Sequence, residues 1–241
     1  MKKIICIPVF NEIHRLNTLI DNLIKSGLKK KDIIFINDGS TDGSGKLIES
    51  YKFKVINYKK NIGIGHSIIK AIKYALEKDL EVFAIMSSNG KMMPNELNKF
   101  FYEINNYDFI NGSRYIDKKI PISTPLFRRY AIYLISIIIS LLTKKKITDF
   151  SCGYRCFKLS ILNDLKINLD NKKLYRYGFE SELYSKVILS NKIKFKEIGI
   201  NMNYPINKKN YSKIRPFIDW IDILFPIFYN IVKNIFKINA K

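Results

Sequence analysis

The chain has 241 residues, with 42 Lys and Arg against 21 Asp and Glu, so it carries a formal net charge of +21. Hydrophobic residues at 47% and charged residues at 26% are ordinary globular values, which exclude a mainly disordered chain and leave enough length for a real core. The surplus positive charge points to an anionic partner (nucleic acid, a membrane surface or phosphorylated small molecules), although part of it is a lysine-rich background running through the whole chain.

Taken in order, Lys3–Val9 reads as a buried strand. The charged start Met1-Lys2-Lys3 is not read as a signal peptide, because the apolar stretch breaks at Asn11-Glu12 and no small-residue cleavage site follows. Leu16, Leu19, Ile20, Leu23 and Ile24 recur at helical spacing, with Gly27 as a stop. Asp32–Ile36 is a second strand ending in the polar turn 37–43, and Phe53–Asn57 a third. A helix over Gly65–Leu76 places Ile68, Ile69, Ile72 and Leu76 on one face. Glu81–Met86 is a fourth strand, Pro94 opens a helix continuing through Glu96–Ile104, and Asp108–Asn111 is a short strand. This alternation predicts an α/β fold with a mostly parallel central sheet, whose ligands bind beyond the carboxyl ends of the strands.

The second half reads differently. The run Tyr130–Thr143 is apolar and would span about 21 Å as a helix at about 1.5 Å per residue. That is short for a bilayer core, which takes about 20 residues. Flanked by Arg128-Arg129 and Lys144-Lys145-Lys146, the segment 125–146 reads as an amphipathic helix lying in a headgroup region, with a buried core helix as the alternative. A polar segment Thr148–Arg155 follows, then a helix near Phe179–Leu189 and a strand Lys194–Ile200. The tail from Ile214 is apolar and basic but interrupted by Asp219, Asp222, Pro226 and Lys233, and is expected to cap the core or lie on a surface. The expected division is a domain over 1–213 and a helical tail over 214–241.

The residue inventory narrows the chemistry. Two histidines, His14 and His66, exclude a three-histidine metal site. Cys152 and Cys156 have neither zinc nor redox spacing, and with Cys6 they suggest a reducing compartment. No helix-turn-helix or RNA-binding signature accompanies the charge, so no nucleic-acid partner is expected. Two acidic turns, Phe10-Asn11-Glu12 and Asn37-Asp38-Gly39-Ser40-Thr41-Asp42, fall at strand ends, where carboxylates suit ribose hydroxyls and base N–H groups; a solvated loop is the alternative. Asn61-Ile62-Gly63-Ile64-Gly65 is an incomplete phosphate-turn pattern and reads as a tight turn before a helix.

In order and spacing, P-V-F-N-E, N-D-G-S-T-D, N-I-G-I-G, N-G-S-R and T-D-F-S-C-G-Y-R-C-F resemble glycosyltransferase family 2 over roughly Lys3 to Lys213, closest to the dolichyl- and polyprenyl-phosphate sugar synthases and surface-polysaccharide transferases. The resemblance implies the GT-A fold, a nucleotide-sugar donor and one displacement at the anomeric carbon, with inversion. By position, Pro8, Phe10, Glu12 and Asp38 would contact the donor nucleoside, while Arg114, Arg128 and Arg155 would hold acceptor or donor phosphates. Asp149 would orient or deprotonate an acceptor hydroxyl, with a structural cap as the alternative. Glu180 and Glu182 either face the site or balance local charge.

One departure stands out. Where the family places D-x-D to bind Mg²⁺ or Mn²⁺, this chain has Ser87-Ser88-Asn89, so Asn89 is the residue left at a ligand position and a hard divalent cation would be held poorly. Lys91, with Arg114, is expected to take over part of the metal's charge, and Lys208 and Lys209 supply more on a late loop. The expected function is sugar transfer to a polyprenyl phosphate or lipid-linked glycan on the cytoplasmic face of the cell membrane, with the protein peripheral on an anionic surface and free to form a homo-oligomer. The alternative is an inert relative that binds nucleotide or membrane as a scaffold.

Overall fold

The computed structural model describes residues 1–116, 126–203, 215 and 218–236. The first half alternates as the apolar pattern predicts: β1 (Lys3–Val9), α1 (Ile13–Lys25), β2 (Ile33–Asp38), α2 (Ser44–Ser50), β3 (Lys54–Tyr58), α3 (Ile64–Glu77), β4 (Val82–Ile85), α4 (Leu97–Glu103) and β5 (Phe109–Ser113). The short helix α2 has no counterpart in the sequence expectations, because its seven residues carry too few apolar positions to show a period. The second half contributes α5 (Leu126–Thr143), β6 (Arg155–Lys158), α6 (Ile161–Asp164), α7 (Gly178–Leu189), β7 (Phe195–Gly199) and α8 (Ile218–Ile235).

Seven strands form one sheet in the order β3-β2-β1-β4-β6-β5-β7. All pairings are parallel except those of β6, which runs antiparallel to both β4 and β5. The polar segment expected over Thr148–Arg155 thus ends in a central strand. Only four residues long, β6 is too short for its alternation to be recognised, and its fully buried Cys156 sits between Ala84 and Ile110.

Each face of the sheet has its own core. Leu16, Leu19, Ile20 and Leu23 of α1 pack with Leu97 and Phe100 of α4 over one face. Ile68, Ile69 and Ile72 of α3 pack with Phe179, Leu183 and Val187 of α7 over the other. Each such side chain contributes about 1.5–3 kcal/mol on burial, so the apolar helix faces read from the sequence are a main source of the fold's stability.

The two long helices of the second half are only partly packed. Helix α5 buries Ile132, Ser136 and Ile139 and exposes Leu126, Phe127, Tyr133, Leu134 and Leu141. It begins four residues before the apolar run starts at Tyr130, and among the described residues it is the one helix long and apolar enough to cross a membrane by length and composition. Helix α8 is continuous despite Pro226. It packs along α7 through Ile227 and Ile231, and Asn230 Nδ2 donates to Glu182 Oε2 and Ser185 Oγ, both at 2.8 Å. The tail therefore shares the core, while Ile221, Phe225, Tyr229 and Val232 face outward. Phe127 stacks on Trp220 with centroids 6.2 Å apart, tying α5 to α8. The expected boundary between 213 and 214 lies outside the described residues, as do Lys208 and Lys209.

Candidate active site

A cleft of about 610 Å³ opens beyond the carboxyl ends of β1, β2 and β4. Its rim is built from the two acidic turns, which are knitted together. Asn11, held at a φ of 48°, accepts from the Thr41 backbone N–H at 2.8 Å, and its own N–H donates to Ser40 Oγ at 3.0 Å. The Glu12 N–H donates to Ser44 Oγ at 3.1 Å and the Ile13 N–H to Asp42 Oδ2 at 2.9 Å. Burial raises the Asp42 carboxyl, but hydrogen bonds from the Ser44 hydroxyl and from the Ile13 and Ser44 N–H groups outweigh it and hold the carboxyl below the usual range. Glu12 is buried at the cleft wall and accepts from Arg15 Nη1 at 2.8 Å.

Asp38, at the end of β2, is 3% exposed and holds the next turn in place. Its carboxylate accepts from Asn61 Nδ2 at 2.9 Å, the Ile62 N–H at 3.0 Å and the Gly63 N–H at 2.8 Å. Three of roughly four carboxylate acceptor positions are thus filled, which leaves about one for a further donor. The N-I-G-I-G segment is the expected turn and helix start: Gly63 has a φ of 134°, and α3 begins at Ile64. The first N–H groups of α3 are not open to a phosphate, because Gly65 N–H donates to Arg176 O at 2.7 Å and His66 N–H to Tyr175 O at 2.8 Å.

The turn after β4 carries Ser87, Ser88 and Asn89, and all three line the cleft. Asn89 Oδ1 accepts the Lys91 N–H at 3.2 Å, and Ser87 Oγ accepts the Asn89 N–H at 3.3 Å. Neutral oxygens already engaged in their own turn do not suit a hard divalent cation, and no group of three metal-ligating side chains occurs among the described residues. The residues present at the D-x-D position do not fit Mg²⁺ or Mn²⁺.

Several expected site residues are placed elsewhere. Asp149 is fully buried and grips Arg114 in a two-pronged pair: Arg114 Nε donates to Oδ2 at 2.6 Å and Nη2 to Oδ1 at 2.7 Å. Arg114 Nη2 also donates to Ser151 Oγ at 2.7 Å. The Asp149 segment is clamped from behind by Glu197, which accepts from Thr148 N–H at 2.7 Å and Thr148 Oγ1 at 2.6 Å. Neither Asp149 nor Arg114 lines the cleft. With no exposure and both oxygens held, Asp149 has in this structure the surroundings of the alternative reading, a structural cap. Arg114 is likewise buried, with its Nε and Nη2 atoms engaged by Asp149 and Ser151. Lys91 also lies behind the cleft wall, 8% exposed; burial pushes its ammonium down to about 8, aided by the positive charges of Arg128, Arg15 and Arg114. Arg128 lies at a separate small cavity of about 70 Å³ between α5 and α8, with Ile135, Trp220 and Leu224.

Pro8, Phe10, Glu12, Asp38, Asn89 and Arg155 do line the cleft. Arg155 sits at its floor, donating to Asn111 Oδ1, Glu180 O and Phe150 O at 2.9 to 3.1 Å. Its side chain is thus committed to the scaffold. Beside it Glu180 lines the cleft, its carboxyl raised by burial against the pull of Arg155, while Glu182 is turned away onto Lys186 and Asn230. The sequence reading did not single out Arg15, Arg176, Tyr177 or Arg215, all of which line the cleft. The signal for Arg15 was available, one helical turn after Glu12; Arg176 had only its nearness to Phe179-Glu180-Ser181-Glu182.

Comparison with known proteins bears on this geometry. The sequence model of the family described as "Glycosyl transferase family 2" matches residues 4–166. The chain is 24% identical to the undecaprenyl-phosphate mannosyltransferase of Micrococcus luteus over 188 residues, 76% of each chain. It is 26% identical to the dolichyl-phosphate beta-glucosyltransferase of Dictyostelium discoideum over 235 residues, 88% of this chain and 68% of that one. Its fold is similar to that of glucosyl-3-phosphoglycerate synthase from Mycobacterium tuberculosis, solved with Mn²⁺, uridine diphosphate and phosphoglyceric acid: the TM-score is 0.66 at 11% identity, covering 97% of this chain and 78% of the other.

Proposed function

Since this chain belongs to glycosyl transferase family 2, we propose that its cleft transfers a sugar from a nucleotide-sugar to a polyprenyl phosphate at a membrane surface. It is a glycosyltransferase of the GT-A fold. The relatives named for undecaprenyl- and dolichyl-phosphate transfer support the acceptor class. The observation that carries the reading is the cleft itself. Two interlocked acidic turns stand on one side, and the exposed apolar faces of α5 and α8 stand beside the other.

In this reading Pro8, Phe10, Glu12 and Asp38 hold the nucleoside, with the carboxylates accepting from its hydroxyl and N–H donors. The acceptor phosphate oxygen attacks the anomeric carbon as the bond to the donor's diphosphate breaks, and the nucleoside diphosphate leaves with the electron pair. A phosphate acceptor is already ionised, so the step needs no strong base. Stabilisation of the developing negative charge falls to cleft cations, a kind of contribution that is often the largest in enzymes. No step is routed through a metal, given the neutral Ser87 and Asn89 oxygens. The apolar faces, flanked by Arg128-Arg129 and Lys144–Lys146, rest on an anionic bilayer, and the protein works peripherally from the cytoplasmic side.

The test is a thermal-shift screen of nucleotide-sugars followed by transfer assays on short polyprenyl phosphates, each with EDTA and with added Mn²⁺. Stabilisation by one nucleotide class, with turnover surviving EDTA, is the expected result. Turnover that is abolished by EDTA and restored by Mn²⁺ would remove the metal-free part of the proposal and leave the transferase.

A further inference from the structure

Four arginines line the cleft among the described residues, and three are tied down. Arg15 is held by Glu12 at 2.8 Å, Arg155 by Glu180 at 3.8 Å and Arg215 by Asp219 at 2.9 Å. Arg176 differs: its side chain is exposed at the cleft and makes no hydrogen bond or ion pair among the described residues.

Its backbone, by contrast, is fixed. The carbonyls of Arg176 and Tyr175 accept from the N–H groups of Gly65 and His66. The approach is close enough to exclude side chains: a Cβ on Gly63 would lie 2.5 Å from Tyr175 O, and one on Gly65 would lie 2.6 Å from Arg176 O, with Leu174 O nearer still. Gly63 needs glycine for its φ of 134° as well. Gly65 has no such backbone demand, so the contact alone accounts for it. The His66 ring adds an edge-on contact with Tyr175, centroids 4.9 Å apart. The second half of N-I-G-I-G is therefore a dock for the 174–176 segment, and it roots a guanidinium that makes no hydrogen bond or ion pair among the described residues.

A guanidinium pairs phosphate oxygens in a planar fork, and one that has no internal partner gives up nothing to do so. We propose that Arg176 is a phosphate ligand of this cleft, and that Gly65 is the positioning residue that roots it there. This rests on the reading of the cleft as a site for a nucleotide-sugar and a polyprenyl phosphate. The donor diphosphate and the acceptor phosphate share the chemistry, and the experiment tells them apart.

The full-length protein is titrated calorimetrically with UDP and GDP, with UMP and GMP, and with farnesyl phosphate. Arg176→Ala is expected to weaken one phosphate ligand about tenfold or more, with Arg176→Lys recovering part of it and the melting temperature unchanged. Loss confined to the nucleoside diphosphate, with the monophosphates spared, assigns Arg176 to the donor; loss confined to farnesyl phosphate assigns it to the acceptor. Gly65→Ala is expected to reproduce the same selective loss with Arg176 still present. Should Gly65→Ala fail to fold, the Arg176 variants still decide. Equal binding of every ligand by Arg176→Ala and wild type, or uniform weakening of all of them, overturns the proposal. Wild-type protein that binds none of these ligands overturns the transferase reading itself and this inference with it, an outcome distinct from wild-type binding that ignores Arg176.

Discussion

Arg114 and Arg176 carry the same guanidinium and reach opposite ends. Arg114 stands in a recognisable N-G-S-R stretch and is buried, forked onto Asp149 and tied to Ser151. Arg176 stands in no pattern that marked it, yet lies at the cleft with no hydrogen bond or ion pair to its side chain among the described residues and with its backbone bonded to the glycine turn. Motif position therefore does not decide which cation meets a ligand; the partners already present in the fold do. A buried pair with both carboxylate oxygens occupied works as a rivet between the end of β5 and the 148–151 segment, whereas an exposed arginine on a fixed root can turn to an incoming anion.

The largest effect expected from this contrast is on stability. Asp149→Ala leaves the Arg114 guanidinium buried without its partner, and loss of one member of such a pair costs about 3–5 kcal/mol. Urea unfolding should show the loss as a clearly lowered midpoint, with nucleotide binding by the folded fraction retained. Arg176→Ala should sit at the other extreme, with a midpoint within about 0.5 kcal/mol of wild type, as for surface positions generally. If Asp149→Ala instead folded normally and lost only turnover, the rivet would be wrong and a chemical role for Asp149 would return.

A second contrast separates the faces of α5. Ile132 and Ile139 hold the helix to the domain, while Phe127, Leu134 and Leu141 face outward. Changing Leu134 and Leu141 together to Glu should leave the melting temperature nearly unchanged but reduce sedimentation with anionic vesicles several-fold, since it removes buried apolar area and adds repulsion. Unaltered vesicle binding would show that this face does not meet the bilayer.

The sequence foretold the first half closely, because that half obeys simple periods. Buried parallel strands read as short apolar runs, and α1 and α3 show their helical stripe directly. It foretold less of the second half. Strand β6 is four residues long and antiparallel between neighbours far apart in sequence, so nothing local announces it. The tail's acidic residues and Pro226 looked like interruptions, yet Asp219 is satisfied by Arg215 four residues earlier, and α8 runs through. At the site, Pro8, Phe10, Glu12 and Asp38 were legible as cleft residues, because the family resemblance singles them out and their strand-end turns lie beyond the carboxyl edge of the sheet. Among the cations, Arg155 was legible and the others were not. Whether Arg114, Lys91 or Arg176 faces the cleft depends on Asp149, on the wall formed by the 87–89 turn and on the glycine dock, and no spacing in the chain encodes those contacts.

Lys91 gives the smallest and most specific test. Its ammonium is held down to about 8 by burial and by Arg128, Arg15 and Arg114, with Glu12 opposing. In the unfolded chain a lysine titrates near 10.4. Between these values the unfolded state holds more protons than the folded one, so this group's contribution to stability rises with pH across that window and is flat below it. The charged Lys91 is thus a cost at neutral pH that is relieved as pH climbs from about 8 toward 10. Lys91→Met removes the titration. The difference in unfolding free energy between wild type and variant should therefore shift in favour of wild type by about 1–3 kcal/mol from pH 7 to pH 10. A bound anion near the cleft wall stabilises the charged form, so nucleoside diphosphate affinity in wild type should fall modestly as pH rises through 8 and stay level in the variant. A parallel fall in both proteins would place the pH sensitivity outside Lys91, and would leave the diphosphate's charge to the arginine at the glycine dock.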